Sequence, residues 1–179
     1  MSVLADRLLA VHDALDRADI RHAFGGAIAL AYCTEEPRGT RDIDVNVFVG
    51  TEDADRVLDA LPRGATVGRR DRTAARREGQ VRIMWDDTPL DLFFDTDEFH
   101  KDVARAVVDV PFEKATIPVL GCQALIVFKA MFGRSRDWAD IEEILDARKN
   151  TGAEALAALV GIMGESDPAV VRLTGLLGR

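Results

Sequence analysis

Little in this 179-residue chain would staple or anchor it. Its two cysteines, Cys33 and Cys122, sit in apolar stretches far apart. That is too few for a disulfide framework or a zinc site; it points to a reducing cytoplasm and leaves Cys122 without a visible partner. No unbroken run of about 18 apolar residues occurs, so a membrane-spanning helix is not expected. The opening MSVLADRLLAVHDALDRAD mixes charges into its apolar positions, unlike a secretory signal. A Gly-x-Ser-x-Gly elbow, a Walker loop and a dinucleotide fingerprint are all absent, which disfavours serine hydrolase and those nucleotide-binding classes. His12, His22 and His100 show no ligand spacing and read as surface or satisfied groups. Positive charge is short overall: a net charge of −8 argues against a generally basic, nucleic-acid-coating surface.

What is present suits one domain, or a core with a helical appendix. At 47 % hydrophobic and 30 % charged, the chain can bury a sizeable core. Leu4, Leu8, Val11 and Leu15 recur at helical spacing over about 3–18, predicting an amphipathic first helix. A short strand over 21–24 runs into Gly25-Gly26, and 27–33 reads as a buried small-residue helix. Over 42–49, Ile43, Val45, Val47 and Val49 face one way, and Asp42, Asp44 and Asn46 the other, as in a strand with one apolar face. A helix over about 51–61, strands over 80–85 and 89–94, a helix over 97–107 and two β-rich runs within 108–120 follow. From Gly121 onward the pattern is helical: about 122–132, 136–149, 152–163 and 168–177. The fold class expected is α+β, a mixed sheet flanked by helices over 1–120 with a C-terminal helical segment over 121–179.

Charge is unevenly spread. Between Arg63 and Arg82 lie seven arginines against Asp71 and Glu78, a net +5 that leaves −13 for the rest. Such a patch would either dock a polyanion or stand as a solvated arginine-rich loop or helix.

The chemistry concentrates in GGAIALAYCTEEPRGTRDIDVNVFV, residues 25–49. Asp42 and Asp44 project from one face of the strand, an oxygen-rich pair suited to Mg²⁺. Asp91 lies on a later strand, opposite Leu90, Leu92 and Phe94, and joins them if the strands are neighbours. Two Mg²⁺ ions bridged by three carboxylates would activate a hydroxyl and stabilise leaving pyrophosphate. Two other Asp-x-Asp pairs have local explanations, Asp53 and Asp55 in a first helical turn and Asp95 and Asp97 at a helix cap, with flanking of the metal site the alternative for the second pair. Gly25-Gly26, between strand and helix, exposes backbone N–H groups to an anion or simply makes a tight turn. Lys129 interrupts the apolar run ALIVFKAMF. It meets a triphosphate or pairs with Asp137 or Asp140, and the two are compatible.

Together these elements resemble the nucleotidyltransferase superfamily of polymerase-β-like fold: Gly25-Gly26, then Arg38-Gly39-Thr40-Arg41-Asp42-Ile43-Asp44, then Asp91 within PLDLFF. The tail KAMFGRSRDWADIEEI is similar to the Lys-then-Arg-x-x-Asp-x-x-Asp segment of the AbiEii-like branch, which includes MenT-type toxins of toxin–antitoxin systems. The resemblance spans about residues 21–146. It implies transfer of a nucleoside monophosphate from an NTP to an acceptor hydroxyl. Asp42, Asp44 and Asp91 would bind two Mg²⁺ ions, with Asp91 also deprotonating the acceptor. Gly25, Gly26 and Lys129 would hold the triphosphate. Arg38 and Thr40 would brace the strand, and Asp137 and Asp140 would lie behind the site or on the acceptor side. The acceptor expected is a tRNA 3′ end, faced by Arg69, Arg70, Arg76 and Arg77, with a cognate antitoxin as protein partner. A small hydroxylated molecule such as an aminoglycoside or lincosamide is the alternative acceptor. Protein adenylylation and a non-catalytic member of the fold are further alternatives.

Overall fold

The computed structural model describes residues 2–178. The chain begins with α1 (Val3–Arg17), β1 (His22–Phe24), α2 (Gly26–Thr34) and β2 (Ile43–Gly50). A single 3₁₀ turn then leads into α3 (Ala54–Ala60) and α4 (Arg69–Glu78), followed by β3 (Gln80–Trp85), β4 (Thr88–Asp95) and α5 (Glu98–Arg105). The hairpin β5 (Val108–Phe112) and β6 (Ala115–Val119) precedes four helices: α6 (Cys122–Phe132), α7 (Ser135–Ala147), α8 (Thr151–Met163) and α9 (Pro168–Leu177). The strands form one mixed sheet in the order β3-β4-β2-β1-β6-β5. The expected α+β layout is the observed one.

Local sequence explains the elements that matter. Helix α1 starts where the Ser2 hydroxyl accepts a hydrogen bond from the Ala5 N–H at 3.2 Å. It buries Leu8, Val11 and Leu15 at helical spacing. Strands β2 and β4 run parallel, with Ile43 beside Leu90, Val45 beside Leu92 and Val47 beside Phe94. All six are buried in a core shared with α1 and α3. At about 1.5–3 kcal/mol for each large apolar side chain, these six fix the register. A slip by one residue would drive Asp44 and Asp91 into that core.

The opposite face of the sheet carries a second core. There Ala29, Leu30 and Cys33 of α2 pack with Leu125 and Ile126 of α6, Trp138 and Ile141 of α7, Leu159 of α8 and Leu173 of α9. The helical segment that begins after β6 therefore shares its core with α2 instead of hanging off the sheet.

One expectation is overturned. Cys33, at the end of α2, and Cys122, at the start of α6, are joined as a disulfide with Cα atoms 5.6 Å apart. The pairing follows from the packing of α2 on α6 across 89 residues of sequence, which composition and spacing do not reveal. Cysteine usage thus no longer carries the expectation of a reducing compartment. None of the described helices is long and apolar enough to cross a membrane.

Candidate active site

The register that builds the core also builds the site. Asp44 and Asp91 are direct neighbours across the parallel β2–β4 pair, and Asp42 stands two residues before Asp44. The strands are thus adjacent, as the convergence of the three carboxylates required, and all three line a cleft of about 730 Å³. The Thr40 hydroxyl donates to Asp42 Oδ1 at 2.9 Å, which steadies that side chain. Burial, then the charges of Asp91 and Asp42, push the Asp44 carboxyl up to about 6. A group so raised marks a place where negative charge is concentrated without enough compensation.

The compensation present is Arg82, on β3. Its Nε and Nη2 donate to Asp91 Oδ1 and Oδ2 at 2.7 and 2.6 Å. Nη2 also stands 3.9 Å from Asp42 Oδ2. This bidentate fork is the strong form of an arginine–carboxylate contact. Sequence reading counted Arg82 only within the arginine-rich stretch. Its i, i+2 alternation with Gln80 and Met84 on a strand was the available signal that it faces the same side as Asp91. With Asp91 held in this way, no three Asp, Glu, His or Cys side chains among the described residues are gathered closely enough to hold a metal ion as they stand.

Opposite the carboxylates, β1 ends at the glycine turn. The Gly25 N–H donates to the Asp44 carbonyl at 2.9 Å, tying the turn to β2. Gly26 has φ +49°, and a Cβ there would collide with Asp44 Oδ2. Glycine is therefore required both by the backbone and by the approach of the carboxylate. Helix α2 starts at Gly26 without a side-chain cap, and Gly26 and Ala27 line the cleft. Its first N–H groups and the positive end of its dipole are left for an anion.

Lys129 forms the cleft's inner wall. It is buried, with Nζ 2.6 Å from Asp140 Oδ2 and 3.6 Å from Asp137 Oδ1. Arg38 grips the same Asp140 from the other side, at 2.6 and 3.1 Å. Burial alone would raise the Asp140 pKa, but hydrogen bonds from Arg38 and Lys129 bring it below the usual carboxylate value. Asp137 caps its own helix by accepting from the Arg134 N–H and takes the Arg134 Nε at 2.7 Å. Asp137 and Asp140 are thus buried inside ion pairs, behind Lys129. The salt bridge foreseen for Lys129 exists, and its ammonium still borders the cleft.

The arginine patch is smaller than the sequence suggests. Arg76 pairs with Asp55, and Arg72 with Asp55 and Asp59, so α4 is partly neutralised by the acids of α3. Arg69, Arg70 and Arg77 make no ion pair among the described residues, and Arg70 reaches the cleft rim with Arg136 from α7. His12 Nδ1 and His22 Nε2 face each other at 2.9 Å, far from the carboxylates along the strands; burial lowers the His22 pKa. A recess of about 250 Å³ opens beside Asp44, lined in part by Asn46, Phe93, His100 and Phe128. Neither Asn46 nor His100 was a candidate from sequence. Asn46 lies on the strand face of Asp44, and His100 is buried under α6, a tertiary fact.

The family described as nucleotidyl transferase AbiEii toxin, type IV toxin–antitoxin system, matches residues 7–175. Among solved structures, the antibiotic-resistance factor ANT(2'')-Ia in solution is similar at 10 % identity and TM-score 0.64, covering 96 % of this chain and 97 % of that one. The crystal structure of ANT(2'')-Ia with adenylyl-2''-tobramycin gives 10 % and 0.65 over 90 % and 99 %. The lincomycin-bound lincosamide antibiotic adenylyltransferase LnuA gives 12 % and 0.54 over 78 % and 94 %. These likenesses are of fold. No curated protein sequence matches the chain significantly.

Proposed function

The chain belongs to the AbiEii family of nucleotidyltransferases, and on that premise we propose that it moves a nucleoside monophosphate from an NTP to the end of an RNA, tRNA foremost. The observation that carries the transfer reading is the pairing of Asp44 with Asp91 across β2 and β4, with Asp42 on the same cleft and the uncapped start of α2 opposite. In this reading the α2 N–H groups and Lys129 hold the triphosphate. The acceptor oxygen bonds to the α-phosphorus, the α–β bridging bond breaks, and pyrophosphate leaves. Asp91, once Arg82 releases it, takes the hydroxyl proton. The donor set of three carboxylates fits hard divalent cations such as Mg²⁺, two of them in our reading, and the raised Asp44 carboxyl marks charge for them to neutralise. Bound there, such ions would polarise the α-phosphate and offset charge on the leaving group.

Unpaired Arg70 and Arg136 at the cleft rim favour a polyanionic acceptor. Asp42 and Asp44, whose charge Arg82 offsets only in part, favour the second reading, a small acceptor that carries positive charge. An antitoxin protein as partner, and a cytoplasmic site where NTPs and tRNA occur, belong to the first.

Neutralising Arg69, Arg70 and Arg77 to Gln separates the readings. RNA binding should weaken, and the slope of log affinity against log salt should become shallower by about 0.7–0.9 for each phosphate that is no longer neutralised. An unchanged slope overturns the RNA reading. Retained NTP-dependent thermal stabilisation in the same variant would leave the transfer reading standing.

A further inference from the structure

The recess beside Asp44 has the chemistry of a site for a flat heterocycle. Its walls are aromatic: Phe93 and Phe132 lie edge to face with centroids 6.0 Å apart, and Phe128 packs on His100 at 5.4 Å. Rings so placed accept a planar base on faces or edges. At its mouth the Arg134 guanidinium stacks on Phe132 at 5.1 Å. The recess shares Gly26, Asp44 and Lys129 with the larger cleft. A molecule whose phosphates lie at the start of α2 can therefore turn its other end into the recess.

Two buried polar groups open into it. Asn46 is 5 % exposed, and no described residue hydrogen-bonds to its side-chain amide. Its amide atoms still reach the space of the recess, where a bound molecule can pair with them. His100 is 6 % exposed. Its Nδ1 lies 3.2 Å from Asp97 Oδ1. A carboxylate only accepts, so Nδ1 carries a proton, and with one proton on the ring Nε2 is an acceptor. No described residue hydrogen-bonds to that Nε2.

Resting on the transfer reading above, we infer that this recess holds the base of the donor nucleotide and that His100, with Asn46 beside it, selects bases whose amino group sits at the purine 6 or pyrimidine 4 position. Adenine and cytosine present an N–H donor next to a ring nitrogen acceptor; guanine and uracil present a carbonyl oxygen at the corresponding edge. The Asn46 amide offers one donor and one acceptor and can turn to pair with either edge, so it holds the base and leaves the choice to His100. The His100 Nε2 accepts from an amino group and repels a carbonyl oxygen. ATP and CTP are therefore the donors, and GTP and UTP are poor ones.

The test is equilibrium binding of the full chain, with Mg²⁺, to the α,β-methylene analogues of all four NTPs and to inorganic tripolyphosphate. The adenine and cytosine analogues should bind about tenfold or more tightly than the other two, the discrimination expected of a paired polar contact. His100→Phe should shrink that ratio severalfold and Asn46→Ala should weaken nucleotide binding, while tripolyphosphate binds to both as to the wild type. Four equal affinities in the wild type overturn the selection. Unequal affinities left unchanged by both variants overturn the assignment to the recess. Loss of tripolyphosphate binding together with nucleotide binding in both variants would also overturn it, since the residues would then support the cleft as a whole. Binding of neither nucleotide nor tripolyphosphate to the wild type would defeat the transfer reading itself.

Discussion

Replacing Asp44 by Asn should make the cation-free protein more stable at pH 8 while disabling it. The carboxyl of Asp44 is raised from 3.8 to about 6, by burial first and then by Asp91 and Asp42. The folded state therefore holds this proton more tightly than the unfolded chain does. Stability from this group is fully present below about pH 4 and is lost as pH rises through about 6. At about 1.4 kcal/mol per tenfold change in acidity, the loss approaches about 3 kcal/mol by pH 8. Asn cannot ionise and avoids it. For a chain of this length each kcal/mol moves the melting temperature by about 2–4 °C, so the variant should melt about 6–12 °C above wild type at pH 8. Near pH 4, where Asp44 is neutral, the two should melt within a few degrees of each other. Thermal unfolding in chelator across pH 4–8 gives the comparison. A variant that is destabilised equally at both ends of the range, or a gap that does not open with pH, would refute the claim that like charge is stored at this point.

Arg82→Gln removes the cation that holds Asp91. At the about 0.5–1 kcal/mol expected of a partly exposed ion pair, Mn²⁺ or Mg²⁺ should bind about two- to fivefold more tightly, measured by calorimetry; weaker binding would mean Arg82 helps build the site. Gly26→Ala forces a side chain into a positive-φ position against Asp44. It should cost about 1–2 kcal/mol in chemical denaturation and weaken tripolyphosphate binding; a neutral effect on both would remove the turn from the site. Reducing Cys33–Cys122, which spans 89 residues, should lower stability by about 4–5 kcal/mol on the chain-entropy account, read from denaturation with and without reductant.

The reacting face was legible because two simple periods coincide there. Alternation in β2 and β4 set Ile43, Val45, Leu90 and Leu92 inward, so Asp44 and Asp91 had to point outward. The glycine pair marked the turn that approaches them. What could not be read came from long-range packing. Asp140 meets Arg38 across 102 residues of sequence, and the arginines of α4 meet acids of α3, among them Asp55, whose place in a first helical turn had seemed explanation enough. Cys33 meets Cys122 because α2 lies on α6. Asn46 shares the polar face of β2 with Asp42 and Asp44, yet it is buried. A period-two pattern assigns a side chain to a face; it does not say what covers the face.

The central claim is that the paired carboxylates of β2 and β4 transfer nucleotides. Its most direct test is incubation of the protein with Mg²⁺, each α-labelled NTP in turn and total tRNA, beside Asp42→Asn and Asp91→Asn. Label should appear on tRNA with the wild type and vanish with both variants. Label that persists in either variant would contradict the assignment of the site, and no label with any of the four NTPs would contradict RNA as the acceptor.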